Sequence, residues 1–267
     1  MKKRLLSFVL AICFIIPCIV MLSACNNDNT TYINVSTIEE LKSALTNTID
    51  NDVIKLNADF DLKDVNENTA LKIESGKHVL DLNGFTLKGV DNGSNSWHAI
   101  DLRGAETELR IKDSSANKTG TIEGRCYGIQ VSRGAKLTID GGNFVCATNG
   151  TFNQNVVVYG GTLVVNGGKF TSKVGEVIYS TSYKWNSVDY HSSVTINGGE
   201  FNCVATEESA SSLLVFERGD YPTSEDVQIV TINGGTFNNN NLQYVVTYDE
   251  YANFTNNADI PAEKINA

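Results

Sequence analysis

The chain has 267 residues, with 31 acidic against 21 basic side chains and a formal net charge of −10. A surface of that sign repels phosphate backbones, which excludes nucleic acid as a natural partner, and no basic run is present to hold a membrane surface. The length is within reach of a single domain, and three prolines against 22 glycines, with abundant Asn, Thr and Val, favour strands joined by tight turns.

The N-terminus reads MKKRLLSFVLAICFIIPCIVMLSAC over residues 1–25. Lys2, Lys3 and Arg4 precede an apolar run from Leu5 to Leu22, the build of a secretory signal. The run ends on Leu22-Ser23-Ala24-Cys25, which resembles the lipobox of bacterial lipoproteins. The resemblance implies a signal peptide over 1–24, and Cys25 as the lipid-carrying first residue of the exported chain. Two or three acyl chains hold a protein firmly to a membrane, where one does so only marginally. The expected location is the extracytoplasmic face of the cell membrane, with membrane contact through the lipid alone. Residues 25–31 read as a polar tether. Without Lys2, Lys3 and Arg4 the exported part carries 18 basic against 31 acidic residues, a formal net charge of −13.

Residues 32–267 form the expected folded domain. Ser36-Thr37-Ile38-Glu39 reads as a capping box for a helix within 36–47, with Leu41, Ala44 and Leu45 on one face. A short phrase then recurs: LTIDGGNF at 137–144, LVVNGGKF at 163–170, VTINGGEF at 194–201 and VTINGGTF at 230–237. Earlier forms are LDLNGFTL at 80–87 and LRIKDSSANKTGTI at 109–122. Taking Leu82, Ile111, Ile139, Val165, Ile196 and Ile232 as equivalent positions gives a period of roughly 26 to 36 residues, the mark of stacked supersecondary units. Within a phrase Leu137 and Ile139 alternate with Thr138, so one side chain in two points inward. Asp140-Gly141-Gly142 bends the chain, and Phe144 restarts an inward-facing strand.

Stacking these units predicts two inward columns. One is Leu87, Ile122, Phe144, Phe170, Phe201 and Phe237; the other is Gly89, Gly124, Cys146, Ser172 and Cys203. Cys146 and Cys203 sit two coils apart, near 10 Å at a strand spacing of about 4.8 Å, too far to bridge; both read as small core residues. Cys126 has no partner that the sequence names. A third strand precedes each phrase: VIKL at 53–56, AIDL at 99–102, GIQV at 128–131, VVVY at 156–159, EVIY at 176–179, LLVF at 213–216 and YVVT at 244–247. Three short strands per coil and about six coils make an all-β, right-handed parallel β-helix. Residues 248–267 are expected to form an irregular C-terminal cap.

Over about residues 32–250 the sequence resembles the pectate-lyase-like superfamily, and more narrowly the β-helix surface proteins of gut bacteria. The carriers are the ELKSAL helix, the DLNG turn and the serial T-I-N-G-G-x-F. The resemblance is specific for fold and says little of activity.

The turn residues Asn83, Asp140, Asn166, Asn197 and Asn233 are expected to hydrogen-bond to one another as a structural ladder. Pectate-lyase relatives use clustered aspartates for Ca²⁺ with a basic proton acceptor, and polygalacturonases use three aspartates with a histidine; neither set is matched here residue by residue. The outward slots Asp81, Arg110, Thr138, Val164, Thr195 and Thr231, and Lys88, Glu123, Val145, Thr171, Asn202 and Asn238, hold no neighbouring carboxylates. Asp81 with Arg110, and Lys88 with Glu123, read as exposed ion pairs worth little. Asp101 and Arg103 face outward, with Gln130 in the next coil. His78, His98 and His191 lack metal-ligand spacing. The sequence therefore calls for no catalytic residue, metal or cofactor.

Two insertions separate the first and second strands of late coils, at 180–193 and 217–228, and adjacent coils should place them side by side. Insertions in a solenoid map to its binding face. Tyr183, Trp185, Asp189, Tyr190, Glu217, Arg218, Asp220 and Tyr221 are the candidate ligand-binding residues, since aromatic rings beside polar side chains suit sugars; the alternative is that these loops fold back over the barrel and bury their rings. The expectation is a surface-displayed, non-catalytic binding or adhesion module for glycans or another envelope component. The alternatives are an anchored polysaccharide lyase or glycoside hydrolase, and a purely structural envelope protein.

Overall fold

A computed structural model of the chain describes residues 30–47, 50, 52–64, 71–89, 98–124, 127–146, 154–173, 175–204, 212–219, 227–239 and 242–267. Cys25, the signal segment, most of the tether and Cys126 lie outside the described residues. Among those described, no helix is long and apolar enough to cross a membrane.

Three long parallel sheets of nine, eight and seven strands form a right-handed parallel β-helix, with a two-stranded hairpin beside them. Each coil runs from the eight-stranded sheet to the nine-stranded one, then to the seven-stranded one. Among the described residues six coils are complete in that order, the number the phrases suggest, and Phe60–Asp61 of the seven-stranded sheet precedes the first of them. The phrases supply the nine-stranded sheet, in register from Ile111 through Ile139, Val165 and Ile196 to Ile232.

The phenylalanine column forms as the alternation predicts. Ile122, Phe144, Phe170, Phe201 and Phe237 pair in succession. The rings stack face to face, with centroids 4.7 Å apart for Phe144–Phe170, 4.9 Å for Phe170–Phe201 and 5.2 Å for Phe201–Phe237. That separation is the strand spacing itself, so parallel register enforces ring contact. Phe144, Phe170 and Phe201 are fully buried, and each buried ring contributes on the order of 3 kcal/mol of transfer free energy. Cys146, Ser172 and Cys203 follow in the second column, all buried.

Several expectations shift in detail. Leu80, not Leu82, pairs with Ile111. The early turn from Leu80 to Leu87 is two residues longer than the later turns, and Leu82 is drawn inward within it, fully buried. Asp81 moves with the register. It is wholly buried rather than an exposed partner of Arg110, and accepts the backbone N–H groups of Asn83 at 3.0 Å and Ser114 at 2.9 Å. Arg110 is free to reach Asp140 instead. The exposed Lys88–Glu123 pair is present at 3.4 Å.

Val53–Leu56 belongs to the nine-stranded sheet, pairing with the strand Gly76–Asp81. The strand that precedes this phrase in the eight-stranded sheet is Leu71–Ile73, whose leucine pairs with Ile100. Two alternating apolar residues fit either sheet, so composition alone does not distinguish them.

The N-terminal helix is Ile38–Asn47, with Leu41, Ala44 and Leu45 buried against the first coil as expected. Its capping box falls one residue later than predicted. The Glu40 carboxylate accepts the N–H of Ser36 at 2.7 Å and of Thr37 at 3.2 Å, and the Glu40 N–H donates to Thr37 Oγ1 at 3.2 Å. Thr37 is therefore the cap, and Glu40 its partner three residues on. The C-terminal segment is also more regular than expected. Ala252–Asn256 adds a strand to the nine-stranded sheet and Ile265–Asn266 one to the eight-stranded sheet. Tyr248 and Phe254 meet above the core, ring centroids 4.7 Å apart. These strands satisfy backbone edges that an irregular cap would leave open.

Candidate functional site

The turn residues build the expected ladder at one corner of the coil. Asn166 Nδ2 donates to Asp140 Oδ1 at 2.8 Å, Asn197 to Asn166 at 2.9 Å and Asn233 to Asn197 at 2.8 Å. Asn257 extends the series onto Asn233 at 2.9 Å. Asn83 does not join it. Its amide donates to the Leu56 carbonyl at 2.9 Å, because the long turn 113–120 comes between it and Asp140. In that turn Asp113 accepts the N–H groups of Gly84, Ser115 and Gly120 at 2.9, 3.0 and 2.7 Å. Burial pushes the Asp113 carboxyl up, but the Ser115 hydrogen bonds and the Gly120 and Gly84 amides outweigh it and hold it below the usual range.

The opposite corner, between the eight- and nine-stranded sheets, carries the first insertion as a hairpin. Tyr183–Trp185 pairs antiparallel with Val188–Tyr190. Asn186 and Ser187 both have positive φ, 47° and 64°, the backbone of a two-residue turn that matches strand twist. The hairpin base is fastened by buried serines. Ser192 Oγ donates to the Thr181 carbonyl at 2.6 Å and accepts the Gly160 N–H at 3.0 Å. Gly160 has φ 63°, and a Cβ there would stand 2.3 Å from Tyr190 Cβ, so only glycine lets the hairpin sit this close.

Beside the hairpin, an open groove of about 650 Å³ lies on the outer face of the eight-stranded sheet. It crosses five neighbouring strands, about 19 Å at their usual spacing. One wall is a run of aromatic rings in contact. Tyr159 touches Tyr179 and Tyr183 at centroid separations of 6.2 and 6.0 Å, and Tyr183 stacks on Trp185 at 6.1 Å. The Arg133 guanidinium lies 4.4 Å over the Trp185 ring, which remains 41% exposed.

At the N-terminal end of the groove Arg103 grips Asp101 through two hydrogen bonds, Nε to Oδ1 at 2.8 Å. Gln130 Nε2 donates to the same carboxylate at 3.3 Å, and its Oε1 lies 2.7 Å from His98 Nε2. Burial holds the His98 imidazole below its ordinary range. The neutral ring then donates from Nε2 to Gln130, which fixes the amide orientation. At the C-terminal end stand two glutamates. Gln154 Nε2 donates to the Glu176 carboxyl at 2.5 Å, and burial pushes Glu176 above the usual carboxylate range. Glu217 is raised too, by burial first and then by the charges of Glu176 and Asp249, against a hydrogen bond from Tyr179.

Of the sequence-predicted site residues, Tyr183, Glu217 and Arg218 line this groove. Trp185 stands next to it, against Tyr183 and Arg133. Asp189 is engaged by Lys184 at 3.3 Å across the hairpin. Tyr190 lies with its backbone and Cβ against Gly160. The Arg218 guanidinium covers the Tyr251 ring at 4.5 Å and donates to its hydroxyl at 2.9 Å. Asp220 and Tyr221 lie outside the described residues. The two insertions meet at their bases, where the Gly219 N–H donates to Thr181 Oγ1 at 2.7 Å.

Sequence reasoning missed Arg133, Gln154, Tyr159, Glu176 and Tyr179. The available signal was the outward parity of the strand before each phrase, which brings Ser132, Tyr159 and Thr181 into one row. Among the described residues no three His, Cys, Asp or Glu side chains gather as a metal site. The chain matches no family model, no curated protein and no solved structure.

Proposed function

We propose that the chain is an exported lipoprotein, anchored through Cys25, whose groove binds a glycan at the cell surface. The observation that carries the reading is the continuous row Tyr159, Tyr179, Tyr183 and Trp185 along an open groove furnished with Arg, Gln and Glu side chains. Sugar rings offer apolar C–H faces edged with hydroxyls, and such a wall meets both needs. The lipobox-like ending of the N-terminal segment and the pectate-lyase-like phrase support a surface location and a carbohydrate ligand. A glycan array probed with residues 26–267 tests it. Binding that falls at least tenfold in Tyr159→Ala combined with Tyr183→Ala is expected. An array without a hit, or hits indifferent to that double variant, would count against the groove.

One observation favours a second reading, glycoside hydrolysis. Glu176 and Glu217 share the groove, and both are held above the usual carboxylate range, as a general acid requires. Release of reducing ends from a retained polysaccharide, lost in Glu176→Gln, would decide for it.

A further inference from the structure

The groove is not uniform along its length. Its N-terminal end is lined by Arg103 and Arg133, and its C-terminal end by Glu176, Glu217 and Arg218. The glutamates come from successive coils, Glu176 before the strand Ile178–Thr181 and Glu217 after Ser212–Phe216, which pair in the eight-stranded sheet. Each is held by a neutral donor from the groove wall, Gln154 for Glu176 and Tyr179 for Glu217.

The other charged groups around the pair are Arg218, which follows Glu217 in the chain, and Asp249, from the next coil. Asp249 accepts the Arg218 N–H at 2.6 Å and the Tyr251 N–H at 3.0 Å. The Arg218 guanidinium is turned onto Tyr251. Thus two half-buried carboxyls line the groove from neighbouring coils, and the charge of Asp249 acts on Glu217 from the coil beyond.

A ligand lying along the aromatic row covers this end and strips water from it. Covering a carboxylate costs more than covering a neutral carboxyl. A neutral carboxyl also gains an O–H that can donate to a sugar hydroxyl, and the repulsion between the two glutamates and Asp249 falls. We propose that the Glu176–Glu217 pair makes the groove acid-responsive, so that it takes its glycan more tightly in mildly acid surroundings than at neutral pH. This rests on the glycan reading of the groove.

Burial already raises Glu176, and burial with the charges of Glu176 and Asp249 raises Glu217. Protonation therefore begins above the ordinary glutamate range, and ligand binding draws in further protons as pH falls. Glutamine at both positions imitates the protonated form and should fix the groove in its tight state.

The test uses the full chain in detergent, by affinity electrophoresis through gels containing xylan, galactan, mannan, β-1,3-glucan or polygalacturonate, at pH 5.0 and 7.5. The expected result is retardation by at least one polysaccharide that is roughly tenfold stronger at pH 5.0, the change that one unit of carboxyl pKa displacement produces. Combined Glu176→Gln and Glu217→Gln should bring the pH 7.5 retardation up to the acid value. Equal retardation at both pH values, or an unchanged pH dependence in the double variant, overturns the acid response and leaves the glycan groove standing. Absence of retardation by all five at both pH values removes the glycan reading and the acid response together. A ligand-free check is the ¹³C titration of the glutamate carboxyls in labelled protein. Two carboxyls titrating above the rest are expected; all titrating together at the ordinary value overturns the proposal without reference to any sugar.

Discussion

Each coil turns at two corners that differ in kind. At the corner between the nine- and seven-stranded sheets, the later coils repeat one five-residue step: Ile139 to Phe144, Val165 to Phe170, Ile196 to Phe201 and Ile232 to Phe237. The side chains there face one another up the stack and are spent on the ladder. At the corner between the eight- and nine-stranded sheets the step is not conserved. It is a short glycine turn at Gly160-Gly161 and a hairpin one coil later. A corner whose polar groups satisfy one another has none left for a ligand, whereas a corner that varies in length can build walls. The separation of these tasks is why a repetitive solenoid can carry a local site.

The largest expected effect comes from the column that both corners depend on. Phe170→Ala removes a ring stacked on both sides and should cost about 3–5 kcal/mol, read as a lower denaturation midpoint with groove binding lost alongside it. Next is Gly160→Ala at the variable corner. The added Cβ meets Tyr190 in a backbone conformation that alanine resists, so a loss of about 1–3 kcal/mol is expected. Glycan retention should weaken more than stability does, since the hairpin must move. If stability falls and retention holds, the hairpin is not a wall of the site.

The ladder sharpens the comparison from the other side. Asn197→Ala breaks two side-chain hydrogen bonds, to Asn166 and from Asn233, and should cost about 1–2 kcal/mol while leaving glycan affinity unchanged. The same corner has an acid-sensitive member. Asp113 is held below the ordinary carboxylate range, so its stabilising contribution is complete above the unfolded-state value and fades as pH falls through the depressed folded value. Asp113→Asn should therefore flatten the loss of melting temperature on acidification below the usual aspartate range. The smallest effect on stability belongs to Trp185→Ala, within about 0.5 kcal/mol for an exposed ring, although glycan affinity should drop clearly.

Sequence legibility follows the same division. The phenylalanine column could be read because parallel register stacks equivalent residues, and the phrase marks its own equivalences. LDLNG imitates the later phrase while its turn carries two more residues, so alignment on the phrase puts Leu82 where Leu80 belongs. Asn83 fell out of the ladder for a related reason: the 113–120 turn breaks the stack between it and Asp140. Asn257 joined without the phrase, since a ladder needs only an amide at the right height. The groove was the least legible part. Tyr159 and Tyr179 look like ordinary strand aromatics, and Glu176 is made unusual by burial, which belongs to the assembled coil.

The most direct test of the account is hydrogen exchange on the chain with and without the polysaccharide it retains best. Added protection is expected in Tyr127–Ser132, Gln154–Tyr159, Ile178–Thr181 and the hairpin, with the ladder turns at 140–142, 166–168 and 197–199 unchanged. Protection centred on those turns, or spread evenly along the stack, would contradict it.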